Sequence, residues 1–211
     1  MRCELGPMKV LGCTGGIGSG KTYVSAIFGR MGVPLYNTDE KAKALYDTDM
    51  ELRSALVELL GDDIIENGIL RRDIMAGKIF GNKELLAQVE MLVHPAVMRD
   101  FNRWKGEIEK LSGQNGGKVP DFVIMESAIL LEKPLVMENV DRVLTVSAPL
   151  DVRIERVMAR DNVDRARVEA RMAAQWSDER REALADFIIF ADGKRALLPQ
   201  IEAVCDAMKN D

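Results

Sequence analysis

Gly15-Gly16-Ile17-Gly18-Ser19-Gly20-Lys21-Thr22 follows an apolar run, precedes an amphipathic one, and fits G-x-x-x-x-G-K-[ST] at every fixed position. Glycines in such a turn let the backbone take positive φ and approach a ligand with no Cβ in the way. The loop N–H groups then converge on a polyphosphate at the positive end of the helix that follows. Lys21 is a mobile cation able to follow β- and γ-phosphates, and the Thr22 hydroxyl is placed to ligate Mg²⁺. A glycine-rich turn that binds nothing is the competing reading, and four glycines followed by Lys-Thr between a strand and a helix argue against it. Gly15, Gly16, Ile17, Gly18, Ser19, Gly20, Lys21, Thr22 and Tyr23 are the expected nucleotide contacts, with ATP and Mg²⁺ as the ligands.

Working outward from the loop, short apolar runs at 8–13, 33–36, 122–126, 143–147 and 187–190 have strand length. Most lack apolar/polar alternation, as strands covered on both faces of a parallel sheet do. Amphipathic helices are expected between them, at 21–31, 40–46, 51–60, 72–80, 83–111, 150–160, 165–175 and 197–209. Pro95 should kink or divide the long one. Residues 112–118 read as a turn-rich loop, residues 1–7 as a loose leader, and no internal repeat is present. Strand, helix, strand in this order gives an α/β fold with a mostly parallel sheet, whose ligands lie beyond the carboxyl ends of the strands.

The 211 residues carry 47% hydrophobic and 30% charged side chains and a formal charge of −5, ordinary values for one globular domain. Net negative charge argues against a protein that lives on nucleic acid. No apolar run approaches the ~20 residues of a bilayer span, and no secretion signal is recognisable. Cys3, Cys13 and Cys205 are scattered, form no C-x-x-C pair, and have only His94 as a possible zinc co-ligand. A buried Cys13 thiol and a cytoplasmic setting are expected, with no membrane and no obligate protein partner.

No Asp-x-x-Gly switch accompanies the loop, and Asn82-Lys83-Glu84-Leu85 lacks the final Asp of a guanine reader. The remaining choices are a small-molecule or nucleotide kinase and, less favoured, a nucleotide-dependent regulatory module. A kinase needs an acceptor pocket, a proton acceptor and a cationic lid. Asp39 follows the second strand and either accepts the proton of an attacking hydroxyl or caps the next helix. Arg71-Arg72 either pins an anionic acceptor or is a solvated pair. His94 is structural or part of the acceptor pocket. Glu126 ends the third strand facing the same cleft, as a metal or acceptor contact or as a cap. Residues 153–181 hold eight arginines, no lysine and six acidic residues. Arginine forks suit phosphate oxygens, and Arg156 and Arg160, four apart, share a helix face with Arg153 nearby, so this segment reads as a lid.

Taken together these motifs resemble the dephospho-coenzyme A kinase family over nearly the whole chain from Met8. The likeness rests on the loop at 14–22, Asp39, Leu70-Arg71-Arg72 with Ile79-Phe80, Leu92-Val93-His94-Pro95, Arg160-Asp161, Arg171 with Gln175, and Ala185-Asp186-Phe187-Ile188-Ile189. The resemblance implies transfer of phosphate from ATP to the ribose 3′-hydroxyl of dephospho-CoA, giving CoA and ADP in the last step of coenzyme A biosynthesis. It implies a P-loop kinase fold in one domain, 8–211: a core of five parallel strands flanked by helices (8–38 and 119–211), a helical CoA-binding region (about 39–112) and an Arg-rich lid (about 153–181). By the same resemblance Asp39 is the base or hydroxyl orienter at the acceptor, Arg156 and Arg160 contact ATP or the transferred phosphate in catalysis, and Arg72 and His94 belong to the acceptor pocket. Lys21, from the loop, also acts in catalysis, and Glu126 is an expected acceptor contact from its own place at the strand end. Three departures stand out. Glu126-Ser-Ala-Ile-Leu-Leu-Glu132 lacks the proline usual after an acid at this strand end. Ala191 stands where an Asn commonly follows the last strand. Thr22-Tyr23 keeps only one of two usual hydroxyls of that helix start.

Overall fold

A computed structural model describes residues 8–114 and 119–210, with the backbone alone at 113 and 114. In chain order its elements are β1 (Lys9–Thr14), α1 (Lys21–Arg30), β2 (Leu35–Asn37), α2 (Thr38–Thr48), α3 (Met50–Leu60), β3 (Ile65–Glu66), β4 (Ile69–Leu70), α4 (Arg72–Ile79), α5 (Lys83–Gln114), β5 (Phe122–Glu126), α6 (Pro134–Met137), β6 (Arg142–Ser147), α7 (Leu150–Asp161), α8 (Arg165–Ala173), α9 (Asp178–Glu182), β7 (Phe187–Phe190) and α10 (Leu197–Asn210). They form two compact units, Thr38–Glu107 and Met1–Asn37 with Ile108–Asp211.

The second of these holds a five-stranded sheet in the order β2-β5-β1-β6-β7, with every pairing parallel. β1 is therefore central, and the glycine loop leaves its carboxyl end. Alternate β1 residues serve opposite faces. Leu11 and Cys13 join Val24 and Phe28 of α1 and Ile201 and Met208 of α10 in the main core, each such side chain contributing about 1.5–3 kcal/mol by its burial. On the other face Gly12 leaves room for Leu130 and Val140: a Cβ there would lie 2.7 Å from Leu130 Cδ1 and 2.8 Å from Val140 Cγ1.

Helix starts follow local chemistry. Asp49 Oδ1 accepts from Leu52 N, Asp164 Oδ1 from Arg167 N, and Ser177 Oγ from Arg180 N, each satisfying an N–H that the helix cannot. In the unit Thr38–Glu107, α3 buries Leu52, Leu56 and Leu60 and α5 buries Val93, Val97 and Phe101, both at the four-residue spacing of one helix face.

The five strands fall where the apolar runs place them, with shifts of up to two residues at their ends. Two readings are corrected. Pro95 does not divide α5, which runs unbroken from Lys83 to Gln114. That helix also takes in Ser112–Gln114 of the expected loop; the rest of the loop, 115–118, and the leader at 1–7 lie outside the described residues. Outside the sheet, Asn67-Gly68 closes a two-stranded hairpin, β3 with β4, with both turn residues at positive φ (51° and 78°), as a tight hairpin requires. Two-residue strands are too short to show alternation.

Gly12→Val should place two methyl groups against Leu130 and Val140 in a filled layer and cost about 1–3 kcal/mol. Thermal unfolding checks this as a fall in Tm relative to Gly12→Ala, whose single methyl needs a smaller adjustment.

Candidate nucleotide site

The loop between β1 and α1 is shaped by its glycines. Gly20 caps α1 in the left-handed region with φ 96°. Gly18 has φ 79°, and a Cβ on it would meet the Arg153 backbone and Val157 Cγ2, so helix α7 passes too close for a side chain. Ser19 N donates to Gly16 O at 3.0 Å and tightens the turn.

Lys21 and Thr22, the first residues of α1, both reach Glu126, the last of β5. Lys21 Nζ and Thr22 Oγ1 each lie 2.6 Å from the same carboxylate oxygen, Glu126 Oε1. The Glu126 side chain is 1% exposed and that of Lys21 13%. The parallel register that pairs Cys13 with Glu126 brings this carboxylate beside the strand end from which the loop leaves. A carboxylate and a hydroxyl at contact distance are hard oxygen donors of the kind Mg²⁺ takes when phosphate and water complete its shell. Among the described residues no cluster of three or more His, Cys, Asp or Glu could hold a metal alone.

The expected lid arginines divide by what they touch. Arg156 Nη1 donates to Gly18 O (3.3 Å) and Ser19 O (3.2 Å), and its Nη2 to Ala191 O (2.7 Å). It also lines a pocket of about 370 Å³ with Gly20, Tyr23, Ala191, Gly193, Arg195 and Leu197, of a size suited to a nucleoside. Arg195 lies 4.1 Å over the Phe190 ring. Asp192 Oδ1 accepts from the Lys194 and Arg195 amides, and these bonds hold its carboxyl below the usual carboxylate range. At the position without the usual Asn, the Ala191 carbonyl accepts from Arg156 and its N–H donates to Ser147 O, so its main-chain groups already have protein partners. Arg160 pairs instead with Asp161, which also accepts from Arg171 at 2.5 Å. Arg165 bridges Asp151 and Glu169.

Arg153, which sequence reasoning left as a neighbour of Arg156, is more central. It is 4% exposed, donates from Nε to Ile17 O at 2.9 Å, abuts Gly16 and pairs with Asp178. Ile17 N donates in turn to Gln175 Oε1 at 2.8 Å, so this amide of the predicted cradle faces a protein partner. Asp178 also pairs with the buried Arg181, whose guanidinium burial pushes down in pKa against the pull of Asp178 and Glu132. The three-residue step from Arg153 to Arg156 on α7 is the signal that could have placed both on the loop.

The other sequence-predicted residues lie in Thr38–Glu107. Asp39 is exposed in the first turn of α2, which begins at Thr38, so it is not that helix's N-cap. Arg72, first residue of α4, donates from Nη2 to Lys43 O (2.9 Å) and Asp47 Oδ2 (3.0 Å) on α2. His94 is half-buried in the middle of α5.

A glycine loop on the central strand of a parallel sheet, a lysine and a hydroxyl at the next helix start, and a strand-end carboxylate between them define a P-loop phosphotransferase of the kinase class. A family model described as Dephospho-CoA kinase matches residues 9–196, and the chain belongs to that family. A dephospho-CoA kinase of Porphyromonas gingivalis is 38% identical over 206 residues, 96% of this chain and 95% of its own. A crystal structure from Thermus thermophilus superposes with a TM-score of 0.74 at 30% identity, covering 95% of both chains. A dephospho-CoA kinase from Campylobacter jejuni shares the fold, with a TM-score of 0.65 at 21% identity over 95% of this chain and 97% of that one.

Cys13 lies under the loop, and burial pushes its thiol up to about 12 against the opposing hydrogen bond from Ser25. At pH 8 it should resist iodoacetamide in the folded protein and react once unfolded, as peptide mass spectrometry can check.

Proposed function

We propose that this protein transfers the γ-phosphoryl group of ATP to the ribose 3′-hydroxyl of dephospho-CoA, giving CoA and ADP. The observation that carries the reading is the meeting of Lys21 and Thr22 on one oxygen of Glu126 at the mouth of the glycine loop. Membership of the dephospho-CoA kinase family supplies the acceptor.

The backbone N–H groups of Gly18 and of Gly20 to Thr22 hold the phosphate oxygens at the positive end of α1, while Ser19 N–H stays on Gly16 O. Lys21 turns from Glu126 to the β- and γ-phosphates, exchanging one anionic partner for another. Thr22 Oγ1, with Glu126 behind it, is the hold for Mg²⁺, which neutralises phosphate charge when bound. Arg156, already on the loop carbonyls, adds positive charge beside the transferred group, and Arg160 one turn further along α7 is a second candidate. The base and ribose take the pocket of Tyr23, Ala191, Arg195 and Leu197. Asp39 accepts the proton of the 3′-hydroxyl as its oxygen bonds to the γ-phosphorus and ADP departs. Arg72 and His94 hold the acceptor. Pairing of Arg72 with Asp47 leaves it available to exchange that exposed partner for a substrate anion.

No helix among the described residues is long and apolar enough to cross a membrane, and Cys13 and Cys205 are free buried thiols. The free thiols support a reducing, cytoplasmic setting for the reaction.

With MgATP, ADP should form only when dephospho-CoA is added, and neither shikimate nor nucleoside monophosphates should replace it at comparable kcat/KM. Equal turnover without acceptor would make the protein an ATPase. Asp39→Asn should lower kcat by about 10²–10⁴-fold with little change in ATP affinity; near-normal turnover would remove Asp39 from the proton transfer. Lys21→Met should abolish turnover and keep the circular dichroism of the wild type, whereas an unfolded variant would make Lys21 a structural residue.

A further inference from the structure

We infer that Gln175 and Arg153 are positioning residues that set the phosphate loop by gripping the main-chain N–H and C=O of Ile17, one on each of the two peptide planes flanking that residue, and so tie nucleotide affinity to the placement of the chain between α8 and α9. The inference rests on the nucleotide reading of the loop and is independent of the acceptor.

Ile17 sits between Gly16 and Gly18. Glycine on both sides leaves the intervening peptide planes easy to rotate, and rotation would turn the next N–H groups away from a bound phosphate. Three contacts oppose it. Ile17 N donates to Gln175 Oε1 at 2.8 Å. Ile17 O accepts from Arg153 Nε at 2.9 Å. The Ile17 side chain packs on the cluster of Ile154, Val157 and Val168, which joins α7 to α8. Arg153 is itself fixed, buried and paired with Asp178. Gln175 and Asp178 are three residues apart in the link from α8 into α9, so one short stretch supplies the direct grip and the support of the indirect one.

The consequence is reciprocal. If this stretch orders the loop for phosphate, phosphate binding must order this stretch. Packing alone would ask only for a side chain of the right volume at 175, whereas the grip asks for an acceptor oxygen.

Gln175→Leu keeps the volume and removes the acceptor; Gln175→Glu keeps an acceptor oxygen. MgADP binding measured by calorimetry should weaken about tenfold in Q175L, the scale of one half-buried hydrogen bond lost with its donor left unpartnered, and stay within about threefold of wild type in Q175E. Hydrogen exchange in 173–178 should slow on MgADP binding in wild type and Q175E and respond far less in Q175L. Should Q175L fail to fold, Gln175→Ser, too short to reach Ile17, is read the same way. Equal affinity in Q175L and wild type, or equal loss in Q175L and Q175E, would overturn the inference. Wild-type protein that does not bind MgADP would overturn the nucleotide reading and this inference together. Binding without transfer to dephospho-CoA would overturn the acceptor assignment alone.

Discussion

One oxygen of a buried carboxylate, Glu126 Oε1, accepts hydrogen bonds from an ammonium and a hydroxyl that are neighbours in sequence, Lys21 and Thr22. Removing such an ion pair from water is costly, and its Coulomb attraction returns that cost only where geometry and further bonds are good. Here the geometry comes from the sheet. β5 lies directly beside β1 with Cys13 opposite Glu126, and a shift of one residue would turn Glu126 to the other face. The ion pair keeps Lys21 close to the loop, and the proposed reaction has it exchange the carboxylate for phosphate. Much of the remaining architecture serves to keep β1, β5 and the start of α1 in this register.

The loop is constrained from a second side by α7. Of the arginines between 153 and 181, the two nearest the start of that helix reach loop carbonyls, Arg153 at Ile17 and Arg156 at Gly18 and Ser19. Arg160, Arg165 and Arg171 satisfy themselves on Asp151, Asp161 and Glu169. These exposed pairs contribute little to stability individually, but they determine which guanidinium groups are left to stand at the glycine loop and which are matched to protein carboxylates.

The parallel sheet was legible in the sequence because strands covered on both faces become unbroken apolar runs, as at Phe122-Val123-Ile124-Met125. The loop was legible because its glycines and Lys-Thr pair are local chemistry. Less of the site could be read. The meeting of Glu126 with Lys21 depends on strand order, which no local pattern encodes, and Gln175 reaches Ile17 across 158 positions of the chain. Arginine count alone did not separate Arg153 from Arg160, since ion pairs form between residues that only the fold makes neighbours. The unbroken course of α5 past Pro95 shows tertiary packing overriding a local breaker: Val93, Ala96, Val97 and Phe101 are buried around it, and that burial outweighs the main-chain hydrogen bond a proline cannot make.

In the proposed reaction Lys21 exchanges Glu126 for a nucleotide phosphate, while Thr22, still backed by Glu126, would hold the metal. A crystal structure of the protein with MgADP tests it most directly. The β-phosphate should lie within the loop amides, with Lys21 Nζ on phosphate oxygen and no longer on Glu126, and the metal beside Thr22 Oγ1. A nucleotide bound elsewhere, or one bound in the loop with the Lys21–Glu126 pair intact, would contradict it.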